Sequence, residues 1–223
     1  MDGQRSVRVV VLLLAVAVAG AFAALACGGS GDGDGPVELD PSATSEFRGV
    51  RQVPAIAMPD VTLTETSGQP FRLRDRTEEK VTLLYLGYTH CPDVCPTHMA
   101  SVARALEELP ASTASQVTVV FITTDPERDT PGVLREWLDL FDDRFVGLTG
   151  TREEINRVQS LLGVNPASKT DLGGGNYAVN HAAFVMAFTP EDREARLVYP
   201  AEMSWEDYAA DLRALIEERK RPS

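Results

Sequence analysis

Thiols and imidazoles are the side chains that hold soft metals and exchange disulfides. This chain carries six of them: Cys27, Cys91, Cys95, His90, His98 and His181. Two thiols are concentrated in Cys91-Pro-Asp-Val-Cys95, a few residues after the apolar run 81–87, VTLLYLG. Proline is tolerated only in the first turn of a helix, so Pro96 places a helix start at Cys95 or Pro96 and leaves Cys91 on the loop before it. Cys95 is then expected to face the positive end of the helix dipole, which lowers a thiol pKa and supplies thiolate. Four residues apart on one rigid helix, β-carbons stand about 5–6 Å from each other, too far for an unstrained disulfide. With Cys91 on a loop, the pair can close a disulfide or share a metal. A bridge over so short a stretch constrains little of the unfolded chain, which argues for redox or metal work over a structural crosslink. Two thiolates leave a metal short of ligands. His181, in the loop Val179-Asn180-His181 before an apolar run, could reach the pair across the end of a sheet. His90 is adjacent to Cys91, but its side chain tends to diverge. His98 lies one turn into the helix, where a surface role competes. Met99 falls on the apolar stripe of that helix and reads as core.

The elements that position these residues alternate. VTLLYLG and residues 117–123, VTVVFIT, read as buried strands. Between them Met99, Val102, Ala103, Leu106 and Leu109 recur at helical spacing. Thr130-Pro131 opens another helix with proline at its first position, followed by a short strand at 145–148. Thr151 with Glu154 forms a capping-box pattern. Residues 182–188 and 196–199 read as strands, and Ser204 with Asp207 caps a last helix. Residues 61–73 look like a hairpin around Ser67-Gly68. The stretch 164–178, with Gly173-Gly174-Gly175, reads as a mobile loop. Strand–helix alternation implies a mainly parallel sheet with helices on both faces, with the late strand pair as an antiparallel edge. The cysteine motif then falls at the carboxyl end of a central strand, where open α/β sheets place their sites.

The chain has 223 residues, with 21 Lys and Arg against 33 Asp and Glu, a formal net charge of −12. That balance excludes an electrostatic nucleic-acid binder. Three cysteines exclude a disulfide-dense scaffold. Arg5 and Arg8 precede an apolar run from Val9 to Leu25 that closes on small residues, the pattern of a secretion signal over 1–26. Cys27 follows where bacterial lipoproteins carry their acylated residue, and the box resembles a lipobox with Ala24 in place of the usual leucine. An uncleaved anchor, or cleavage after Ala26 with Cys27 left free, are the other readings. Residues 28–36, GGSGDGDGP, cannot bury apolar surface and read as a flexible acidic tether. The expected organisation is a signal over 1–26, a lipid-anchored linker over 27–49 and one folded domain over 50–221. That places the domain outside the cytoplasm, at the outer face of the bacterial cytoplasmic membrane. No apolar stripe is left over, so a monomer is expected.

Three blocks, GYTHCPDVCP (87–96), TTDPERDTP (123–131) and the His181 strand, resemble in order and separation the Sco/SenC family of copper chaperones over residues 50–221. The resemblance implies a thioredoxin-like α/β fold: a central mixed sheet flanked by helices, with an N-terminal β-hairpin extension. It implies copper, Cu(I) or Cu(II), bound by Cys91, Cys95 and His181. It implies a membrane-tethered protein that delivers copper to the CuA centre of cytochrome c oxidase subunit II or reduces its cysteines. Asp125 matches an acidic position of the family's loop, with either an electrostatic role beside the site or a turn-capping one. The chain departs from the family in a longer acidic turn after the His181 strand, TPEDREARL. The proline typical of thioredoxins is replaced by Asn180-His181. The competing reading is a thiol–disulfide oxidoreductase in which Cys91 attacks and Cys95 resolves the mixed disulfide. A thiol peroxidase is disfavoured, because Thr89 is not at the Thr-x-x-Cys spacing.

Overall fold

The computed structural model describes residues 47–219. The expected signal segment 1–26, Cys27 and most of the expected linker lie outside them. The described residues belong to one compact unit. Among the described residues there are ten strands: β1 (Val50–Ala57), β2 (Thr62–Glu65), β3 (Pro70–Arg72), β4 (Val81–Gly87), β5 (Val117–Thr123), β6 (Val146–Thr149), β7 (Ser168–Gly173), β8 (Asn176–Asn180), β9 (Val185–Phe188) and β10 (Glu194–Tyr199). The helices are α1 (Leu73–Arg76), α2 (Val94–Glu108), α3 (Ala111–Ala114), α4 (Pro131–Leu138), α5 (Arg152–Leu161) and α6 (Trp205–Arg219).

Eight strands form one mixed sheet in the order β1-β10-β9-β4-β5-β6-β2-β3. Strands β4, β5 and β6 are parallel, while β9 runs antiparallel to β4. The expected hairpin is β2–β3, and it extends the sheet beyond β6. The late pair β9–β10 is antiparallel, as expected, but it is not the edge. Strand β1, which no sequence pattern marked, covers β10. Its outward face carries Val53 at 79% exposure and Pro54 interrupts it, so neither alternation nor strand composition gave it away.

All seven residues of β4 are buried, and alternate positions face two separate cores. Val81, Leu83 and Tyr85 join Met99, Val102 and Leu106 of α2 with Leu212 and Ile216 of α6. Leu84 and Leu86 join Ile155 and Val158 of α5 on the other face. A strand buried on both sides reads as a continuous apolar run because neither face meets water. The helix starts follow their sequence signals. Thr151 Oγ accepts from the Glu154 N–H and Glu154 Oε2 accepts from the Thr151 N–H, a closed capping box worth about 1 kcal/mol. Ser204 and Asp207 make the same exchange ahead of α6. At the other end of the fold, buried Asp211 of α6 accepts from the backbone N–H groups of Arg48 and Gly49 and so pins the chain's entry into β1.

The stretch 164–178 is not an irregular loop. Strands β7 and β8 pair as a separate hairpin around Gly173, Gly174 and Gly175, all at positive φ. Every residue of β7 is exposed, so no apolar alternation announced it. Residues 182–184, expected at the start of a strand, are irregular, and β9 begins only at Val185.

Candidate metal centre

Strand β4 ends at Gly87 against the Tyr85 and Phe121 rings. A Cβ there would stand 2.7 Å from Tyr85 and 2.9 Å from Phe121, so only glycine fits. The chain then turns through Tyr88 to Cys91, whose N–H donates to the Tyr88 carbonyl at 3.2 Å. Helix α2 starts at Val94, one residue earlier than expected, and Pro96 sits within its first turn. Cys91 and Cys95 are free thiols. Cys91 is 9% exposed and Cys95 is fully buried.

His181 is delivered from the far side by the connection between β8 and β9. Its Nε2 lies 3.5 Å from Cys95 Sγ. The two sulfurs and an imidazole nitrogen all fall within 4.8 Å of one another. The His181 Nδ1 is 3.0 Å from the Ala182 carbonyl. A carbonyl only accepts, so Nδ1 carries the proton and Nε2 presents its lone pair to the sulfurs. Tyr88 and Tyr85 stand edge-on to the His181 ring at 5.5 and 6.0 Å between centroids. On its outer flank His181 borders an open hollow of about 500 Å³, lined by 163–166, Ser168 and Asn180.

The two thiols are polarised opposite to expectation. Cys91, not Cys95, has the lowered pKa, pulled down to about 3 by the hydrogen bond from the Cys95 thiol, against some burial, with help from the backbone N–H groups of Asp93 and Cys95. That N–H, at the start of α2, points at Cys91 Sγ over 3.4 Å. The helix terminus therefore serves the loop cysteine. Burial pushes the Cys95 thiol well up, and the negative charge on Cys91 adds to that. The two thiols are thus shifted in opposite directions, with Cys91 favoured as the thiolate and Cys95 as the thiol. The Tyr85 hydroxyl donates to Cys95 Sγ at 3.6 Å, and burial raises its own pKa so that it stays a donor.

The remaining imidazoles stand apart from the cluster. His90 is on the surface, 3.0 Å from Thr89 Oγ. His98 is not a surface residue: it is 1% exposed, with Nδ1 3.0 Å from the Tyr208 hydroxyl and Nε2 3.3 Å from the Ala183 carbonyl. Met99 is core.

Asp125 is fully buried. It pairs with Arg128, lies 3.5 Å from Arg152, and accepts from the Tyr177 hydroxyl at 2.9 Å. The Arg128 guanidinium lies 3.6 Å over the Tyr177 ring and donates to the Tyr177 carbonyl. Tyr177 is on β8, four residues before His181, so this group fastens the hairpin that leads into it. Gln159 fastens the hairpin's entry through the Asn165 carbonyl and the Ala167 N–H. Sequence reasoning also passed over Asp129. It is buried and accepts from the Thr89 N–H, the Thr89 hydroxyl and the Thr123 hydroxyl, which ties the loop before Cys91 to the end of β5. Its signal was present: a second acid in Asp125-Pro-Glu-Arg-Asp129, just before a helix start.

The SCO1/SenC family profile matches residues 51–217. The chain belongs to the SCO1/SenC family. The human protein "SCO1 homolog, mitochondrial" is 35% identical over 136 residues, 56% of this chain and 44% of its own length. The first curated relatives are matched over 33% to 65% of their length. Apo Sco1 from Thermus thermophilus superposes with a TM-score of 0.68 at 34% identity, covering 78% of this chain and 99% of that one. ScoI from Bradyrhizobium japonicum, solved with copper bound, gives 0.64 at 32% identity, covering 71% and 99%. The expected mixed α/β architecture stands, with the thioredoxin-like fold of these Sco structures. Among the described residues, no helix is long and apolar enough to cross a membrane.

Proposed function

We propose that this chain is a copper metallochaperone that takes up Cu(I) or Cu(II) on Cys91, Cys95 and His181 and delivers it to the CuA centre of cytochrome c oxidase subunit II. The observation that carries the reading is the meeting of two sulfurs and one imidazole nitrogen within 4.8 Å. The donor set suits copper: soft thiolates select Cu(I), and imidazole serves both oxidation states. Copper here is cargo. The lowered pKa of Cys91 favours its thiolate, Cys95 gives up its proton on binding, and His181 offers a lone pair that needs no deprotonation. Two buried sulfurs and a half-exposed imidazole leave one side from which an acceptor's own ligands can enter. The resemblance supplies the acceptor. Cleavage before Cys27 and its lipidation would anchor the domain, 50–221, on the linker 27–49 at the outer face of the cytoplasmic membrane, as a monomer.

The test is Cu(I) titration of the reduced chain against a competing chelator. The expected result is one copper per chain, lost in Cys91→Ala and Cys95→Ala, with transfer to a soluble subunit II fragment. A chain that is indifferent to copper overturns the reading.

The split between the thiols favours a second activity on the same residues. Cys91 thiolate attacks a substrate disulfide, releasing one substrate thiolate and forming a mixed disulfide. Cys95, once deprotonated, attacks Cys91 Sγ and releases the second, leaving Cys91–Cys95 oxidised until an external dithiol reduces it. Disulfide reduction that survives His181→Ala, with copper binding unaffected by that change, would make the oxidoreductase the principal function.

A further inference from the structure

His98 lies inside the protein and outside the metal cluster, yet its ring touches what supports both halves of that cluster. Its Nε2 is 3.3 Å from the Ala183 carbonyl. A carbonyl has no proton to give, so Nε2 carries one and donates it. Nδ1 is then an acceptor, and the Tyr208 hydroxyl, 3.0 Å away on α6, is the donor facing it. Burial lowers the His98 pKa, which keeps the ring neutral and this tautomer fixed. The ring face packs on Tyr85 at 4.9 Å between centroids, and Tyr85 is the donor to Cys95 Sγ.

Two successive carbonyls of the irregular segment after His181 are thus engaged. Ala182 accepts from His181 Nδ1, and Ala183 accepts from His98 Nε2. Turning one peptide turns the next. Freeing the Ala183 carbonyl would release the Ala182 carbonyl as well, and with it the bond that orients the His181 lone pair. We propose that His98 is a positioning residue for His181: held by Tyr208 of α6, it clamps the Ala183 carbonyl and thereby sets the direction and tautomer of the His181 ring. The inference rests on the metal-site reading above. Outer hydrogen-bond partners of ligating imidazoles change metal affinity by about 10- to 100-fold when removed.

The experiment compares the full reduced chain with His98→Leu, His98→Gln and His98→Asn, each alone and with His181→Ala. The readouts are Cu(I) affinity and amide hydrogen exchange at 181–184 in the copper-free chain. A glutamine amide nitrogen reaches as far as Nε2 and can donate to Ala183, whereas asparagine reaches only as far as Nδ1. His98→Leu and His98→Asn are expected to weaken copper by about tenfold and to speed exchange at 182–184, while His98→Gln restores most of both. With His181→Ala present, the His98 substitutions are expected to cost no more, because coupled sites are not additive. Wild-type affinity in His98→Leu, equal losses in glutamine and asparagine, or the same loss with and without His181 would overturn the proposal. If His98→Leu does not fold, the glutamine–asparagine pair decides. If the parent chain binds no copper, the site reading fails, and exchange at 182–184 still decides whether His98 holds the segment.

Discussion

Cys91 and Cys95 are four residues apart at the joint between β4, buried along its whole length, and the first turn of α2. His181 arrives 86 residues after Cys95, on a connection preceded by a hairpin whose first strand is exposed throughout. The thiol half is part of the core, and moving it means disturbing Tyr85, Gly87 and Met99 together. The imidazole half is fastened by polar contacts at a few points: Tyr177 to Asp125 before it, and the Ala183 carbonyl to His98 after it. Packed cores resist small displacements, whereas segments with few buried apolar contacts open at low cost. One half of the cluster is set by folding and the other by latches that can be released one at a time.

The contrast is testable, and the largest effect lies within the thiol half itself. Cys91 is expected to react with iodoacetamide more than a thousandfold faster than Cys95, on the order of the ratio set by opposite pKa shifts. With the Cys91 pKa near 3, its thiolate fraction is complete at pH 8 and falls only as pH approaches that value. The Cys91 rate should therefore be level from pH 8 to about 5, where an ordinary thiol loses about tenfold per pH unit. Mass spectrometry of the labelled peptides checks both points, and equal labelling of the two cysteines would erase the asymmetry.

Asp125→Ala removes a buried carboxylate from Arg128 and Tyr177, and a broken buried pair costs about 3 kcal/mol. Urea unfolding should show that loss, with hydrogen exchange at 168–180 rising ahead of the core strands. Uniform loosening would mean that the hairpin is not separately latched. His181→Ala should weaken Cu(I) by about 100-fold, or about 2.7 kcal/mol, with no change in unfolding midpoint beyond about 0.5 kcal/mol. A large stability loss would place the imidazole half in the core after all. The smallest effect is expected for Tyr177→Phe, which loses one hydrogen bond to a charged group, about 1–2 kcal/mol. Exchange should increase at β7 and β8 and not at β4.

Sequence and structure agree best where the signal is local. The double-buried run at 81–87, Thr151 with Glu154, Ser204 with Asp207, and the Pro96 helix start each depend on residues within one turn of each other. Cys91 and Cys95 were visible for the same reason. What was missed depends on partners far away. Strand β7 satisfies its backbone on β8 while exposed throughout, so its residues need no apolar pattern, and β8 sends only Val179 fully into the core. Asp125 could be read either as a turn residue or as a charge beside the site, and its partners Tyr177 and Arg152 lie too far along the chain for sequence to choose. The thiol asymmetry was misassigned because the position of the helix start was visible while the direction of the Cys95 N–H, toward Cys91, was not. His98 lies at helical spacing from Cys95 and Val102 on the buried face of α2, but its polar side chain read as a surface residue because its partner, Tyr208, is 110 residues on.

The clasp of Asp211 on Arg48 and Gly49 has a mechanical meaning. Tension entering at residue 47 meets Phe47, packed against the core, then a carboxylate on α6 and the β1–β10 ladder. Strand β4, which carries the cysteines, lies two strands further in, behind β10 and β9. Load arriving from that end is borne by the rim of the sheet, so the domain can be swung or dragged as a body while the two sulfurs and the imidazole nitrogen keep their spacing.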